Sequence, residues 1–238
     1  KKLLFALLLF FAFGLHAQDS VNDTTKQTGE TIFVFSIDEE IAPAMWRHTQ
    51  QSFARAKEVN ADRVLIKLNT YGGMVNMADS IRSKILESDK PVYVFIENNA
   101  ASAGALISIA ADSIFMRPGS RIGSASVVDQ QGNVMPEKYQ SYMRSTIRAT
   151  AESHGKDTII QGTDTLIQWH RDPLVAEGMV DPSIVVPGIV DSTKIVAFTA
   201  QEALKHGYCE AILNSVPEVM EWLEIDEYEI KEYEPTAL

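Results

Sequence analysis

Two turns in the sequence contain the residue types that acyl-transfer chemistry requires. Ser102 lies in the segment 98–105, where its immediate neighbours are alanine and glycine. Gly72 and Gly73 end a turn that follows a run of apolar residues. A serine hydroxyl can act as a nucleophile, and free amides at a helix start or glycine turn can stabilise an oxyanion. Taken alone, the serine would more often be a helix N-cap and the glycine pair a tight turn. Two such turns at the ends of neighbouring parallel strands favour an active site instead.

A serine nucleophile needs a base, and the segment between Ser102 and Arg148 contains no histidine. Lys138 lies in this segment, at the predicted start of a long amphipathic helix. A lysine acts as a base only when it is uncharged, which requires burial or nearby positive potential such as a helix N-terminus. The alternative is a solvated lysine paired with Glu137, the ordinary environment of a lysine. The residues alone leave these two interpretations open.

Strand and helix patterns alternate along most of the chain. Strands are predicted at 31–37, 64–68, 92–96, 114–116, 122–127 and 194–199. Helices are predicted at 41–59, 74–87, 100–111, 137–154, 200–206 and 217–222. Short buried strands that alternate with helices pair in parallel through right-handed crossovers, so the fold class is α/β. Periodicity does not distinguish an open sheet from a spiral, and residues 157–193 are less regular, consistent with a lid or a dimerisation element.

Charge and composition exclude several functional classes. The net charge is −11 and there is no basic run, so nucleic-acid binding is not predicted. Cys209 is the single cysteine, which excludes an intrachain disulfide and a CxxC site. Neither GxGxxG nor GxxxxGK[ST] occurs, so dinucleotide and P-loop sites lose support. We therefore predict no cofactor and no metal.

The first residues predict export. Lys1 and Lys2 precede an apolar run over 3–15 and then Ala17, the pattern of a signal peptide or signal anchor covering residues 1–17. The remaining predicted boundaries are 18–30 for a flexible leader, 31–225 for the folded domain, and 226–238 for an acidic tail leading to a membrane region beyond this sequence.

At these motifs the chain resembles the protease domain of NfeD-type membrane-bound serine proteases, a Clp-class family of the ClpP/crotonase superfamily. The resemblance runs from about Thr31 to Ile225. It rests on 69–73, 101–104, 122–125, Lys138 with its helix, 171–181, and 199–203 with Gly207. Tyr71 departs from the family pattern, which usually has proline before the glycine pair.

The resemblance implies a spiral of ββα units with a parallel sheet, and an ATP-independent endopeptidase with a Ser–Lys dyad. Ser102 would be the nucleophile and Lys138 the base. The amides of Gly73 and Ala103 would form the oxyanion hole, and Gly72 and Met74 would contact the substrate. The resemblance also implies that substrates or partners are hydrophobic segments of stomatin-like membrane proteins. A homodimer or larger assembly is implied as well, on the periplasmic or extracytoplasmic side and anchored in the full-length form.

Two other functions are compatible with the same turns. A crotonase-like acyl-CoA enzyme would use the oxyanion hole without a covalent nucleophile, although export argues against a CoA substrate. A non-catalytic membrane adaptor would use the fold only to hold a stomatin-like partner.

Overall fold

The computed structural model describes residues 29–162 and 164–233. The predicted signal segment 1–17, residues 18–28 of the leader and residues 234–238 of the tail lie outside them. The first half of the fold contains β1 (Glu30–Ile37), α1 (Pro43–Glu58), β2 (Arg63–Thr70), α2 (Val75–Leu86), β3 (Val92–Ala101), α3 (Ala103–Ile109), β4 (Ser113–Met116), β5 (Arg121–Gly123) and α4 (Glu137–Ser153). The second half contains β6 (Lys156–Gln161), β7 (Asp164–Trp169), α5 (Pro173–Gly178), β8 (Ala197–Thr199), α6 (Ala200–Lys205), β9 (Ala211–Ile212), α7 (Val216–Trp222) and β10 (Tyr228–Tyr233).

The main sheet has the strand order β10-β1-β2-β3-β4-β9, and all of these neighbours pair in parallel. Strand β3 has two successive partners along one edge. Its first half pairs with β4, and residues 99–101 pair with β5. Strand β8 then joins β5 in the antiparallel direction. The α/β class with a mostly parallel sheet is therefore confirmed, and β3 carries the chain from the main sheet to its β5–β8 extension.

Both faces of the central strands of the main sheet are buried. Phe33 and Phe35 of β1 belong to the larger apolar cluster, whereas Ile32 and Val34 belong to a second cluster that includes Val219 of α7. Successive side chains of a strand point to opposite faces, so both sets are buried only because helices cover both sides. This explains why the sequences of the central strands are continuous apolar runs. Each fully buried large apolar side chain stabilises the fold by about 1.5–3 kcal/mol.

Residues 228–233 of the predicted acidic tail form strand β10 of the main sheet. Strand β10 pairs in parallel with β1, from Glu30 opposite Tyr228 to Phe35 opposite Tyr233. It is an edge strand whose Glu229 and Lys231 carry their charges at the sheet margin. Backbone hydrogen bonds hold such a strand, and charged side chains protect an open edge from further pairing. The strand therefore lacks the apolar run by which strands are recognised in a sequence.

The irregular segment 157–193 also contains regular structure. Strands β6 and β7 form an antiparallel hairpin, followed by the short helix α5. The hairpin side chains are largely exposed, including Ile160 and Ile167. None of the helices in the described ranges combines the length and the apolar character that crossing a bilayer requires.

Candidate active site

Ser102 lies at the junction between β3 and α3. The strand continues to Ala101 and the helix begins at Ala103, so the predicted helix over 100–111 starts later than its small residues suggested. Ser102 has φ 55° and ψ −117°, an uncommon conformation for a residue with a side chain. Its amide donates to the Gly123 carbonyl at 3.0 Å, and its hydroxyl makes no capping hydrogen bond. The N-cap interpretation is therefore wrong, and the hydroxyl remains available for chemistry.

The Gly72–Gly73 turn contacts Ser102 directly. Thr70 pairs with Ala100, which aligns the ends of β2 and β3. Gly72 and Gly73 have φ of 117° and 151°, where other residues are strained. A Cβ atom at position 72 would lie 2.7 Å from Ser102 Cβ and 3.0 Å from its Oγ. Only glycine therefore permits the turn to approach the serine this closely.

A neighbouring loop fixes the glycine turn. The Ile41 amide donates to the Gly72 carbonyl, and the Met74 amide donates to the Ile41 carbonyl, both at 2.8 Å. A Cβ atom at position 73 would lie 2.4 Å from the Ile41 carbonyl oxygen. The Thr70 hydroxyl accepts a hydrogen bond from the Gly72 amide at 3.1 Å. The backbone of the turn is thus held on one side by Ile41 and on the other by Ser102.

The two residues predicted to supply the oxyanion donors, Gly73 and Ala103, line the same groove as Ser102. Ala103 is the first residue of α3, so its amide has no acceptor within the helix. Within the described ranges, neither the Gly73 amide nor the Ala103 amide donates a hydrogen bond. Backbone N–H groups that have no acceptor and line the same groove as a nucleophile are the type of donor that binds an oxyanion.

Ser102 opens onto a groove of about 810 Å³, within the roughly 300–1,000 Å³ range of ligand sites. Apolar side chains form most of its wall: Met74, Val75, Ala78, Val127, Val128, Met135 and Met143. Tyr71 stands at the rim with 80% of its surface exposed. Gly72 lines a smaller depression beside the groove, with Glu39 and Glu40. In the part of the chain that the structure describes, no group of three or more His, Cys, Asp or Glu side chains could hold a metal ion.

The segment after β5 forms the opposite wall of the groove. The Ser124 amide donates to the Val196 carbonyl at 3.0 Å, and the Ala125 amide donates to the Met179 carbonyl at 2.6 Å. The Ser126 hydroxyl donates to the Val180 carbonyl at 2.9 Å. The strand predicted over 122–127 ends at Gly123 as β5, and residues 122–125 are also one of the motifs of the resemblance. The glycine–serine pair 123–124 was the local signal, since both residues have positive φ.

A short loop, Val127–Met135, continues this wall to helix α4, and we call it the flap. Val128 and Val134 form an antiparallel bridge, and the Met135 amide donates to the Val127 carbonyl at 2.9 Å. At the tip, the Asp129 carboxylate accepts hydrogen bonds from the amides of Gln131 and Asn133, both at 2.9 Å. The flap therefore has its own internal structure. Its residues 127–130 and Met135 line the groove.

The structure does not bring the Lys138 amine into the groove. Lys138 is exposed in the first turn of α4, and its Nζ lies 5.4 Å from the centroid of the Tyr139 ring. The groove-lining residues include Met135, just before the helix, but not Lys138. The predicted nucleophile, oxyanion donors and Met74 thus meet at one site, whereas the predicted base lies beside it.

The Arg171–Asp172–Pro173 motif lies outside the groove. Arg171 is fully buried, and its Nη2 donates to Glu210 Oε1 at 3.1 Å. The Asp172 side chain caps α5 by accepting from the Leu174 amide at 2.9 Å. The motif at 171–173 therefore stabilises the fold and contributes no group to the groove.

The family of the chain follows from a comparison with protein-family models. The model of the NfeD1b N-terminal domain matches residues 31–233. The chain belongs to that family. The predicted resemblance to NfeD-type proteins is thus confirmed, and the match includes β10, which the predicted domain boundary at 225 left out.

Two curated relatives of this NfeD1b-type domain are longer proteins. Membrane protein NfeD1b of Bacillus subtilis is 28% identical over 206 residues, which cover 86% of this chain and 44% of the relative. Membrane-bound protease PH1510 of Pyrococcus horikoshii is 25% identical over 197 residues, which cover 79% of this chain and 38% of the relative. The NfeD1b-type domain described here thus spans less than half the length of either relative.

Solved structures confirm the Clp-like fold of this NfeD1b-type domain. The 1510-N membrane-bound stomatin-specific protease, as a serine-to-alanine mutant, superposes with a TM-score of 0.71 at 22% identity, covering 87% of this chain and 99% of that one. ClpP1 from Listeria monocytogenes superposes with a TM-score of 0.53 at 18% identity, covering 78% of this chain and 94% of that one. At these identities the likeness concerns the fold.

Proposed function

We propose that this domain is a serine peptidase with Ser102 as its nucleophile. One observation carries the proposal. The Ser102 hydroxyl makes no capping hydrogen bond, and Ser102 lies at a strained junction, contacts the Gly72 turn and lines an apolar groove. A serine that served only the helix would cap it, and a serine that served only packing would not require a glycine against its side chain.

In the proposed reaction, Ser102 Oγ attacks the carbonyl carbon of the scissile peptide bond. The amides of Gly73 and Ala103 bind the oxyanion of the tetrahedral intermediate. The uncharged amine of Lys138 takes the hydroxyl proton and gives it to the leaving amine, which departs as the C–N bond breaks. Water then attacks the acyl-enzyme with the same groups, which releases the second product and restores the hydroxyl. No nucleotide takes part.

The role of Lys138 as the base requires its side chain to turn toward the groove. The Lys138 ammonium makes a solvent-exposed cation–π contact with the Tyr139 ring. Exposed contacts of this kind contribute only about 0.5–1 kcal/mol. Catalytic hydrogen bonds are often long without substrate and shorten in the complex. A lysine-to-alanine mutant of the stomatin-specific protease has been solved with a substrate peptide, which supports a lysine in this reaction class.

The shape and apolar walls of the groove favour an extended peptide substrate with apolar side chains. Its walls are mostly apolar, and Met74 and Tyr71 are exposed at its entrance. Since the relative is described as specific for stomatin, we propose hydrophobic segments of stomatin-like membrane proteins as substrates. We also propose export to the extracytoplasmic face through residues 1–17, anchoring in the full-length form, and assembly as a dimer or larger oligomer.

The test is hydrolysis of apolar peptides by the purified chain, followed by mass spectrometry. Wild type is expected to cleave, whereas Ser102→Ala and Lys138→Ala are each expected to lose activity by a factor of about 10³ or more while remaining folded. Lys156→Ala is the matched control, because Lys156 also lies over an aromatic ring, 4.5 Å from the Trp169 centroid, but does not line the groove. Full activity of Ser102→Ala would refute the nucleophile.

A second function, a non-catalytic adaptor for a stomatin-like partner, is favoured by the solvent-exposed position of Lys138. A serine-directed fluorophosphonate probe distinguishes the two. A peptidase site is labelled in wild type and not in Ser102→Ala, whereas an adaptor is labelled in neither.

A further inference from the structure

Gln140 is a buried side chain in the first turn of α4, and its amide group binds both ends of the flap. Its Oε1 accepts from the Val127 amide at 3.0 Å. Its Nε2 donates to the Val127 carbonyl at 2.6 Å and to the Met135 carbonyl at 3.2 Å. Only 7% of the residue is exposed.

These hydrogen bonds require the chemistry of an amide. Burying a primary amide is costly unless its donors and acceptor have partners, and here both donors and the oxygen are bonded. The contact with both polar groups of Val127 imitates the pairing that a neighbouring strand would provide. A carboxylate would lose both donors, and an apolar side chain of equal size would leave the Val127 amide without its partner.

The position of this clamp links the groove wall to the start of α4. Val127 follows the wall segment 124–126, and Met135 lines the groove just before the helix that carries Lys138. Because Gln140 bonds to both, the flap base and the first turn of α4 form one unit. Without the clamp, the flap would remain joined by its own bridge but would lose its fixed register on the helix.

We infer that Gln140 is a positioning residue that sets the distance between the Ser102 groove and the first turn of α4, and thereby the reach of Lys138. The inference rests on the proposed function. A misplacement of about 1 Å at a catalytic group costs on the order of 100-fold in rate. The other walls of the groove, from Met74 to Ala78, do not depend on Gln140 and continue to bind substrate.

The test compares Gln140→Met, which keeps the size of the side chain without its hydrogen bonds, with Gln140→Glu. Ser141→Ala, the exposed neighbour, is the control. For Gln140→Met we expect kcat to fall by on the order of 10–100-fold, while KM changes by less than about threefold. For Gln140→Glu, the ratio of variant to wild-type kcat should rise as pH falls, because a protonated carboxyl regains one donor. Amide hydrogen exchange at Val127 should quicken in Gln140→Met.

The outcomes separate this inference from the proposed function. If hydrogen exchange at Val127 quickens in Gln140→Met but its kcat equals that of the control Ser141→Ala, the positioning role is overturned. The proposed peptidase function is unaffected by that result. If exchange at Val127 is unchanged, the clamp itself is overturned. An inactive wild type that no serine probe labels would refute the proposed function, and the positioning role with it. If Gln140→Met does not fold, Gln140→Glu provides the test. A ratio of variant to wild-type kcat that does not rise as pH falls would overturn the positioning role.

Discussion

At the scale of single residues, the unusual backbone conformations concentrate where the site is. Of the four non-glycine residues with positive φ in the described ranges, Ser102 and Ser124 line the groove, and only Asn60 and Glu224 lie elsewhere. Such conformations cost about 1–3 kcal/mol each and persist where the surrounding structure over-determines them. At Ser102 the bond to Gly123 and the contact with Gly72 are those determinants.

The conformation of Ser102 predicts that function and stability oppose each other at this position. Ser102→Gly should remove the side chain that is strained at φ 55°, whereas Ser102→Ala keeps a Cβ atom in the same conformation. Glycine also gains freedom in the unfolded chain, which reduces the benefit. We therefore expect Ser102→Gly to be about 1 kcal/mol more stable than Ser102→Ala in denaturant unfolding, with both inactive. A glycine variant that unfolds more easily than the alanine variant would contradict strain at the nucleophile.

At the scale of elements, ion pairs to helix α5 and the turn after it hold α4 in place. Arg144 bridges Glu137, in the first turn of α4, and Asp181, whose Oδ2 lies 2.6 Å from Nη1. Arg148, one turn later, pairs with Glu177 of α5. Arg144 is largely shielded from solvent, whereas about half of Arg148 is exposed. The bridge at Arg144 therefore fixes the end of α4 that carries Lys138.

Substituting these two arginines tests which pair holds the helix. Arg144→Met should lower the free energy of unfolding by about 1–2 kcal/mol, because it removes a partly buried bridge to two carboxylates. Arg148→Met, the matched control, should cost about 0–1 kcal/mol, since exposed pairs contribute little. Thermal and urea unfolding would measure both. Equal losses for the two variants would show that the burial of the Arg144 bridge has no energetic consequence.

At the scale of the whole molecule, a charged cluster joins parts of the chain that are distant in sequence. His170, directly after β7, hydrogen-bonds Asp157 of β6 at 3.0 Å and faces Glu210 at 3.4 Å. Glu210 also binds the buried Arg171 and the amide of Ile114 in β4. The side chains of β7 are exposed to solvent, and the charged cluster lies at the base of the β6–β7 hairpin. The cluster therefore ties the hairpin to the rest of the fold.

The cluster predicts a pH-dependent contribution to stability. The interaction with the Glu210 carboxylate, and more weakly the hydrogen bond to Asp157, raises the pKa of His170 above its ordinary value despite partial burial. A raised pKa means that the folded state favours the charged form, so the stabilisation is complete below about 6.5 and is lost as pH rises through the raised pKa. The difference in unfolding free energy between wild type and His170→Gln should thus be larger at mildly acidic than at alkaline pH. A difference that is the same at both would contradict this coupling.

Local sequence patterns predict the order of strands and helices from β1 to α4, the glycine turn and the position of Ser102. These features depend on local causes: apolar periodicity over a few residues, and small side chains where the backbone must turn sharply. The family resemblance rested on the same local motifs, and it is confirmed. The edge strand β10 and the hairpin β6–β7 were missed, because their stability comes from pairing rather than from an apolar run.

The division of β3 pairing between β4 and β5, through which the chain leaves the main sheet, depends on contacts between segments that are distant in the sequence. The tertiary structure also brought Gly72 against Ser102, buried Gln140 under the flap, and left the Lys138 amine beside the groove. The orientation of a side chain depends on neighbours that are far away in the sequence. A local pattern can therefore predict that a lysine begins a helix, but not which way its amine turns.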